Sequence, residues 1–272
     1  MKKMYKTSLY ENHLSLKAKI LPFAGYLMPI NYEDGIQSEY KAVRNDVGLF
    51  DVSHMGQIII NGRDSSKLLK KITVNNIDNL SPGQAHYSAL CNHSGGIIDD
   101  IIIYKLSEVE YLLVVNGANR EKVYDWIKIK NKDSCNIDDK TFKSSLIAIQ
   151  GPNSREYLEE FLNCKIDLKF YTHKYYTVKS QNILVSRTGY TGELGFELLG
   201  KSDGINAAWD YFINKKVKPC GLAVRDILRM EMKYCLYGND INESITPIEA
   251  GLGWIINNQT DFIGKKILID QK

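Results

Sequence analysis

Most of the sequence signs that announce a function class are missing from this chain. Five cysteines, at Cys91, Cys135, Cys164, Cys220 and Cys235, form no C-x-x-C pair. Their odd number and irregular spacing fit neither a zinc site nor a disulfide framework, so reduced thiols in a cytosol-like compartment are expected. No apolar run approaches the ~18 residues that span a bilayer. The basic start from Met1 to Lys6 leads into the polar stretch Thr7 to His13 rather than an apolar signal core, so a cytoplasmic location and no membrane partner are expected. Neither sign of charge dominates: 35 basic residues face 32 acidic ones, a formal +3, and no nucleic-acid partner is expected. The histidines His13, His54, His86, His93 and His173 show no H-E-x-x-H or comparable ligand spacing, and no metal is expected. A Rossmann fingerprint, a Walker lysine motif, a G-x-S-x-G elbow and a cysteine-protease context are all lacking. Nucleotide-phosphate binding therefore loses ground, and covalent catalysis has no candidate nucleophile. Nor does a proline-rich linker, a low-complexity tract or a repeat of fixed period divide the chain, so any domain division must be interlocked.

What is present is ordinary globular material, 44% hydrophobic and 25% charged over 272 residues, enough for a sizeable core in one large or two interlocked domains. Runs rich in β-branched and aromatic residues predict strands over Gln57 to Ile60, Gly96 to Lys105, Tyr111 to Val115, Leu146 to Gln150, Tyr175 to Val178 and Asn182 to Ser186. Helical spacing predicts Ser65 to Ile72 with its serines as caps, Asn119 to Ile129, Ser154 to Phe161 and Asp203 to Asn214, the last with Ile205, Ala208, Trp209 and Phe212 on one face. Strands outnumber helices without regular βαβα alternation, which reads as an α+β fold. The lysines around Lys128 to Lys132 read as a solvated helix end and loop.

Three segments hold residues suited to chemistry. In the first, Tyr87 to Tyr104, the stretch Asn92 to Asp100 (NHSGGIIDD) runs a Gly95-Gly96 turn into a strand whose adjacent carboxylates Asp99 and Asp100 point to opposite faces. A carboxylate in apolar surroundings there can have a raised pKa, accept a proton or hold a cationic or N–H centre; alternatively the pair receives backbone or arginine hydrogen bonds at a strand start. The second, Arg187 to Glu197 (RTGYTGELGFE), is an irregular glycine-rich loop before a strand. Its Glu197 can accept two parallel hydrogen bonds from an amino-pyrimidine edge and Tyr190 can cover a heterocycle, or the loop is a hairpin with a solvated glutamate. The third, Cys220 to Glu231, reads as a helix on which Arg225 is either surface charge or an inward guanidinium that needs an anion.

Together these segments resemble the aminomethyltransferase, or T-protein, family of the glycine cleavage system. The similarity runs from Thr7 to Lys265 through Phe50 to Gly56 (FDVSHMG), Asn92 to Tyr104, Val115-Asn116, Ala148 to Pro152, Arg187 to Glu197 and Gly221 to Arg229. The resemblance implies a soluble, tetrahydrofolate-dependent enzyme that moves the methylene unit of the aminomethyl-lipoyl arm of H-protein to tetrahydrofolate, releasing ammonia. It assigns Asp100 as the catalytic aspartate near the folate N10 and Glu197 as the pterin-edge carboxylate. Tyr87, Asn116 and Tyr190 would line the folate cavity, and Arg225 would be a substrate-binding arginine. The implied fold has two interlocked, sequence-discontinuous domains, 1–52 plus 140–222 and 53–139 plus 223–270, with the folate site between them.

Two departures are visible. Family members continue beyond the position of Lys272 into a small C-terminal β-barrel domain, which is expected to be absent here, and Tyr26 stands where the family has a tryptophan. The alternatives within the superfamily are a folate-dependent demethylase, in which only the donor changes, and a folate-binding iron-sulfur assembly factor. Of the latter's Lys-Gly-Cys-Tyr-x-Gly-Gln-Glu motif, Lys233 to Asp240 (KYCLYGND) keeps only the Lys, Cys and Gly, and Cys235 reads as a small buried hydrophobe.

Overall fold

The structure, a computed structural model, describes residues 4–132 and 135–272; the first three residues of the basic N-terminal stretch lie outside them. The chain forms two compact units and passes between them at His54/Met55, Lys140/Thr141 and Tyr234/Cys235. The sequence expectation put the last passage at 222/223. It falls later because the helix Leu222–Glu231 packs on the strand Tyr26–Asn31 and the helix Gly35–Asn45, both of the first unit.

The first unit is built on a six-stranded sheet in the order His173–Val178, Gln181–Ser186, Gly195–Lys201, Ser144–Gln150, Gly48–Asp51 and Lys218–Cys220. All neighbours are antiparallel except the last pair, which is parallel. Period-2 alternation decides what each strand buries: along Gly195–Lys201, Phe196 and Leu198 are fully buried while Glu197 stands on the other face, half-buried. The helix Ser202–Asn214 lays Ile205, Ala208, Trp209 and Phe212 into the same core. Each such large side chain contributes roughly 1.5–3 kcal/mol by leaving water. A small sheet of Tyr5–Lys6, Tyr26–Asn31 and Lys19–Phe23 completes the unit. On it Tyr26 is buried, its ring edge-on to His54 at 6.5 Å.

The second unit carries a five-stranded antiparallel sheet, ordered Ala85–Cys91, Ile97–Lys105, Glu110–Val115, Gly56–Asn61 and Asn136–Asp139. Helices Ser65–Ile72 and Arg120–Lys130 bring Leu68, Leu69, Ile72, Val123 and Ile127 against Ile58, Ile60, Ile101 and Ile103. The serines expected to cap the first of these do not. Its N-cap is Asp64 without a side-chain bond, and the Ser65 hydroxyl instead donates to the Val109 carbonyl at 2.9 Å.

One irregularity in this sheet bears on chemistry. Leu90 pairs with Asp99 and Cys91 with Ile97, so Ile98 is an extra residue, a bulge that buries two successive isoleucines and re-aims the strand just before Asp99. Gly95, at φ +84°, makes the preceding turn, and at Gly96 a Cβ would overlap the Glu243 carbonyl. No helix among the described residues is long and apolar enough to cross a membrane.

Candidate active site

On the second unit, three neighbouring strands converge on the carboxylate pair. Asp99, on the core-facing side of Ile97–Lys105, is completely buried, while Asp100 faces the other way and is half-buried. Asp100 accepts from the Tyr87 hydroxyl at 2.8 Å and from Asn116 Nδ2 at 2.7 Å. Asp99 accepts from the Asn116 backbone N–H and Nδ2, both at 3.0 Å, and from Asn119 Nδ2 at 2.5 Å. Burial pushes both carboxyls above the usual carboxylate range, and the like charges of the pair disfavour each other, while the amide and hydroxyl donors act the other way. Tyr87, Asp100 and Asn116 of the sequence expectation are thus in direct contact.

Two residues of this cluster were not singled out from the sequence. Asn119 sits at the start of the helix Arg120–Lys130, yet its amide makes no cap and is spent on Asp99. Trp254, 70% exposed, lies over the Tyr87 ring with centroids 6.0 Å apart and planes 26° apart. The sequence carried no signal for Trp254, since tryptophan is highly buried on average and only the structure shows this one exposed.

On the first unit, the loop Arg187 to Glu197 and the helix Leu222–Glu231 form a second cluster. The Thr188 hydroxyl donates to Glu197 Oε2 at 2.5 Å and stands 2.8 Å from the Ser186 hydroxyl. Tyr190 has two ring partners: Tyr234 stacks on it at 5.7 Å, and the Arg225 guanidinium sits 4.4 Å from its ring centre. Arg225 is half-buried and has no hydrogen-bond or ion-pair partner among the described residues, so its five N–H donors are available. Burial lowers its pKa, while Tyr190 and Glu197 raise it. Buried His54, from the FDVSHMG segment, is held neutral, its pKa down to about 4 through burial and the charge of Arg225. Glu197, Arg225 and Tyr190 therefore belong to one cluster, and Asp100, Tyr87 and Asn116 to another.

The loop's shape rests on Gln150. Its amide donates to the carbonyls of Thr188 at 3.2 Å and Phe196 at 3.4 Å, and its oxygen accepts from the Thr191 hydroxyl at 2.9 Å. A Cβ at either Gly189 or Gly195 would overlap this carboxamide.

A carboxylate bonded to a tyrosine on which an exposed tryptophan stacks, and a fixed glutamate near a cation held on a tyrosine face, suit a flat, nitrogen-rich ligand and an amine. Comparison with known proteins names the family. Residues 9–260 match the GCVT N-terminal domain model. The chain is 44% identical to an aminomethyltransferase of Pseudothermotoga lettingae over 99% of its own length and 75% of that protein's.

The chain belongs to the aminomethyltransferase family.

A second relative, from Halothermothrix orenii, is 43% identical over 99% of this chain and 77% of its own. The crystal structure of glycine cleavage system aminomethyltransferase T from Bartonella henselae superposes with a TM-score of 0.92 at 32% identity, covering 98% of this chain and 74% of that one. The family is one of transferases, and the fold is the T-protein's mixed α and β architecture. Cys235, which the sequence reading compared with an iron-sulfur assembly motif, is half-buried against an apolar cluster of the second unit that includes Ile241, Ile255 and Phe262.

Proposed function

We propose that this transferase moves the methylene unit of an aminomethyl-lipoyl arm, presented by H-protein, to tetrahydrofolate as co-substrate, with release of ammonia. In that reaction the carbon loses its bonds to sulfur and to the amine and gains bonds to two folate nitrogens. The two protons those nitrogens give up leave on the thiol and on ammonia.

The observation that carries the reading is the half-buried Asp100 carboxylate, fixed by Tyr87 and Asn116, with Trp254 stacked on the ring of Tyr87. A carboxylate so placed holds an N–H and stabilises positive charge as it develops on a reacting nitrogen. Because its position is set by two bonds before substrate arrives, little reorganisation accompanies the step. Glu197, fixed by Thr188, accepts the paired N–H groups of the pterin edge, which is a stronger contact than neutral acceptors would make. Tyr190 covers the heterocycle or the adjoining ring, and Arg225 turns its free donors to an anionic or carbonyl group of the substrate. With His54 neutral beside it, the guanidinium is left as the acting cation of this cluster.

The deciding experiment is methylene-tetrahydrofolate formation from tetrahydrofolate and aminomethyl-loaded H-protein by the 272-residue chain, with tetrahydrofolate binding followed by calorimetry. Turnover that depends on both substrates supports the proposal. Binding of tetrahydrofolate without transfer refutes the reaction but keeps the folate sites, and absence of both refutes the reading of both clusters.

A further inference from the structure

We propose that Asp99 is a positioning residue for the transfer, the fixed anion of a carboxylate pair in which Asp100 is the member that binds and releases a proton. The proposal rests on the reading of Asp100 as the group that meets the reacting nitrogen.

The hydrogen-bond pattern separates the two carboxyls. Three N–H donors converge on Asp99: the backbone and side-chain amides of Asn116 and the amide of Asn119. An N–H can only donate, so a proton on Asp99 would find no acceptor among these groups and would be a buried donor without a partner in a completely buried site. Asp100 is different. One of its partners is the Tyr87 hydroxyl, which can rotate to accept, and its face is half-open, so a proton there costs no bond. With Asp99 ionised beside it, Asp100 holds a proton more readily than an isolated carboxyl would. During transfer, Asp100 takes the proton of a folate N–H as that nitrogen bonds to carbon, and passes it to the departing amine as the C–N bond breaks. Asp99 also keeps Asn116 in place, since one amide group donates to both carboxylates.

The other ionisable groups around the pair do not duplicate this role. Tyr87 already bonds Asp100. Tyr237 donates to the Ile97 carbonyl and accepts from Lys122, whose ammonium is paired with Glu243 at 2.8 Å. His86, on the Asp99 face of the neighbouring strand, is held neutral by burial, its pKa down to about 4.

The test is the pH dependence of kcat/KM in the full chain, with tetrahydrofolate and aminomethyl-loaded H-protein, for the native protein, Asp99→Asn, Asn119→Ala and Asp100→Asn. Removing the Asp99 charge, or weakening its hold by deleting the Asn119 donor, lets Asp100 ionise at lower pH. The limb of the profile set by Asp100 therefore moves to lower pH in both variants, more in the first, while tetrahydrofolate KM changes less than about threefold. A residue that merely ties the strand to the following turn would lower thermal stability and leave that limb in place, and this result in a folded variant overturns the proposal. Where Asp99→Asn does not fold, Asn119→Ala decides alone by the same criterion. Full turnover in Asp100→Asn overturns both this inference and the reading on which it rests; an inactive Asp100→Asn with an unmoved limb in the other variants overturns only the role of Asp99.

Discussion

Replacing Asp100 by asparagine should separate catalysis from stability, because the same charge helps one and harms the other. The carboxamide has nearly the volume of the carboxylate. Its oxygen can keep the bond from Asn116, and its NH2 can face Tyr87, whose hydroxyl turns to accept. Both contacts survive as neutral bonds worth about 1 kcal/mol each, against about 1.5–3 when one partner is charged. What disappears is the negative charge at the reacting nitrogen. Loss of one preorganised electrostatic group costs about 10²–10³ in kcat, or about 2.7–4 kcal/mol.

Stability runs the other way. Both carboxyls of the pair titrate above the ordinary 3.8 in the folded protein, so the folded state binds their protons more tightly than the unfolded chain does. That contribution is fully present below 3.8 and is lost as pH rises through the raised folded values. Asp100→Asn removes the share due to Asp100 and relieves Asp99 of a like charge. Its Tm should equal the native value in acid and match or exceed it at neutral pH. Thermal unfolding across pH and steady-state turnover of the same preparation check both halves. Turnover within about threefold of native would remove Asp100 from the reaction, and a Tm several degrees below native at neutral pH would show the carboxylate to be net stabilising, against the argument from burial.

Three further outcomes follow from the geometry. Glu197→Ala should weaken tetrahydrofolate binding by roughly 10- to 100-fold, the worth of about 1.5–3 kcal/mol for bonds to a charged acceptor, and an unaltered Kd in calorimetry would sink the pterin-edge role. Asp51 is fully buried and accepts from Thr7, His13 and the Ser53 amide; burial alone would raise its pKa, but the His13 bond and the others bring it below the usual value. The stability it contributes is present above 3.8 and is lost as pH falls through the lowered value, so Asp51→Asn should cost about 3–5 kcal/mol in urea unfolding at neutral pH and less in acid. Gly195→Ala should displace the Gln150 carboxamide and cost about 1–3 kcal/mol, with a weaker tetrahydrofolate Kd because Gln150 also holds Thr188 and Thr191 in the loop. A folded variant with native urea midpoint and Kd would show that the loop repacks freely.

The sequence by itself determined the faces. The spacing of Ile205, Ala208, Trp209 and Phe212 named the buried stripe of one helix, and alternation in the isoleucine-rich strand put Asp99 and Asp100 on opposite sides with only one in apolar surroundings. The resemblance to the family lay in short glycine-bounded motifs, in which residue type and spacing are read directly. Periodicity says which side of an element is apolar, but it does not say what lies across from that side. Only the tertiary structure joined Trp254 to Tyr87, spent the helix-start residue Asn119 on Asp99 instead of on a cap, and carried the helix of Arg225 to the unit that holds Tyr190. The three-residue parallel strand Lys218–Cys220 was likewise too short for any pattern, and exists because Gly48–Asp51 offers it a free edge. These are pairings between segments far apart in the chain, fixed by packing and hydrogen-bond complementarity that no local pattern encodes.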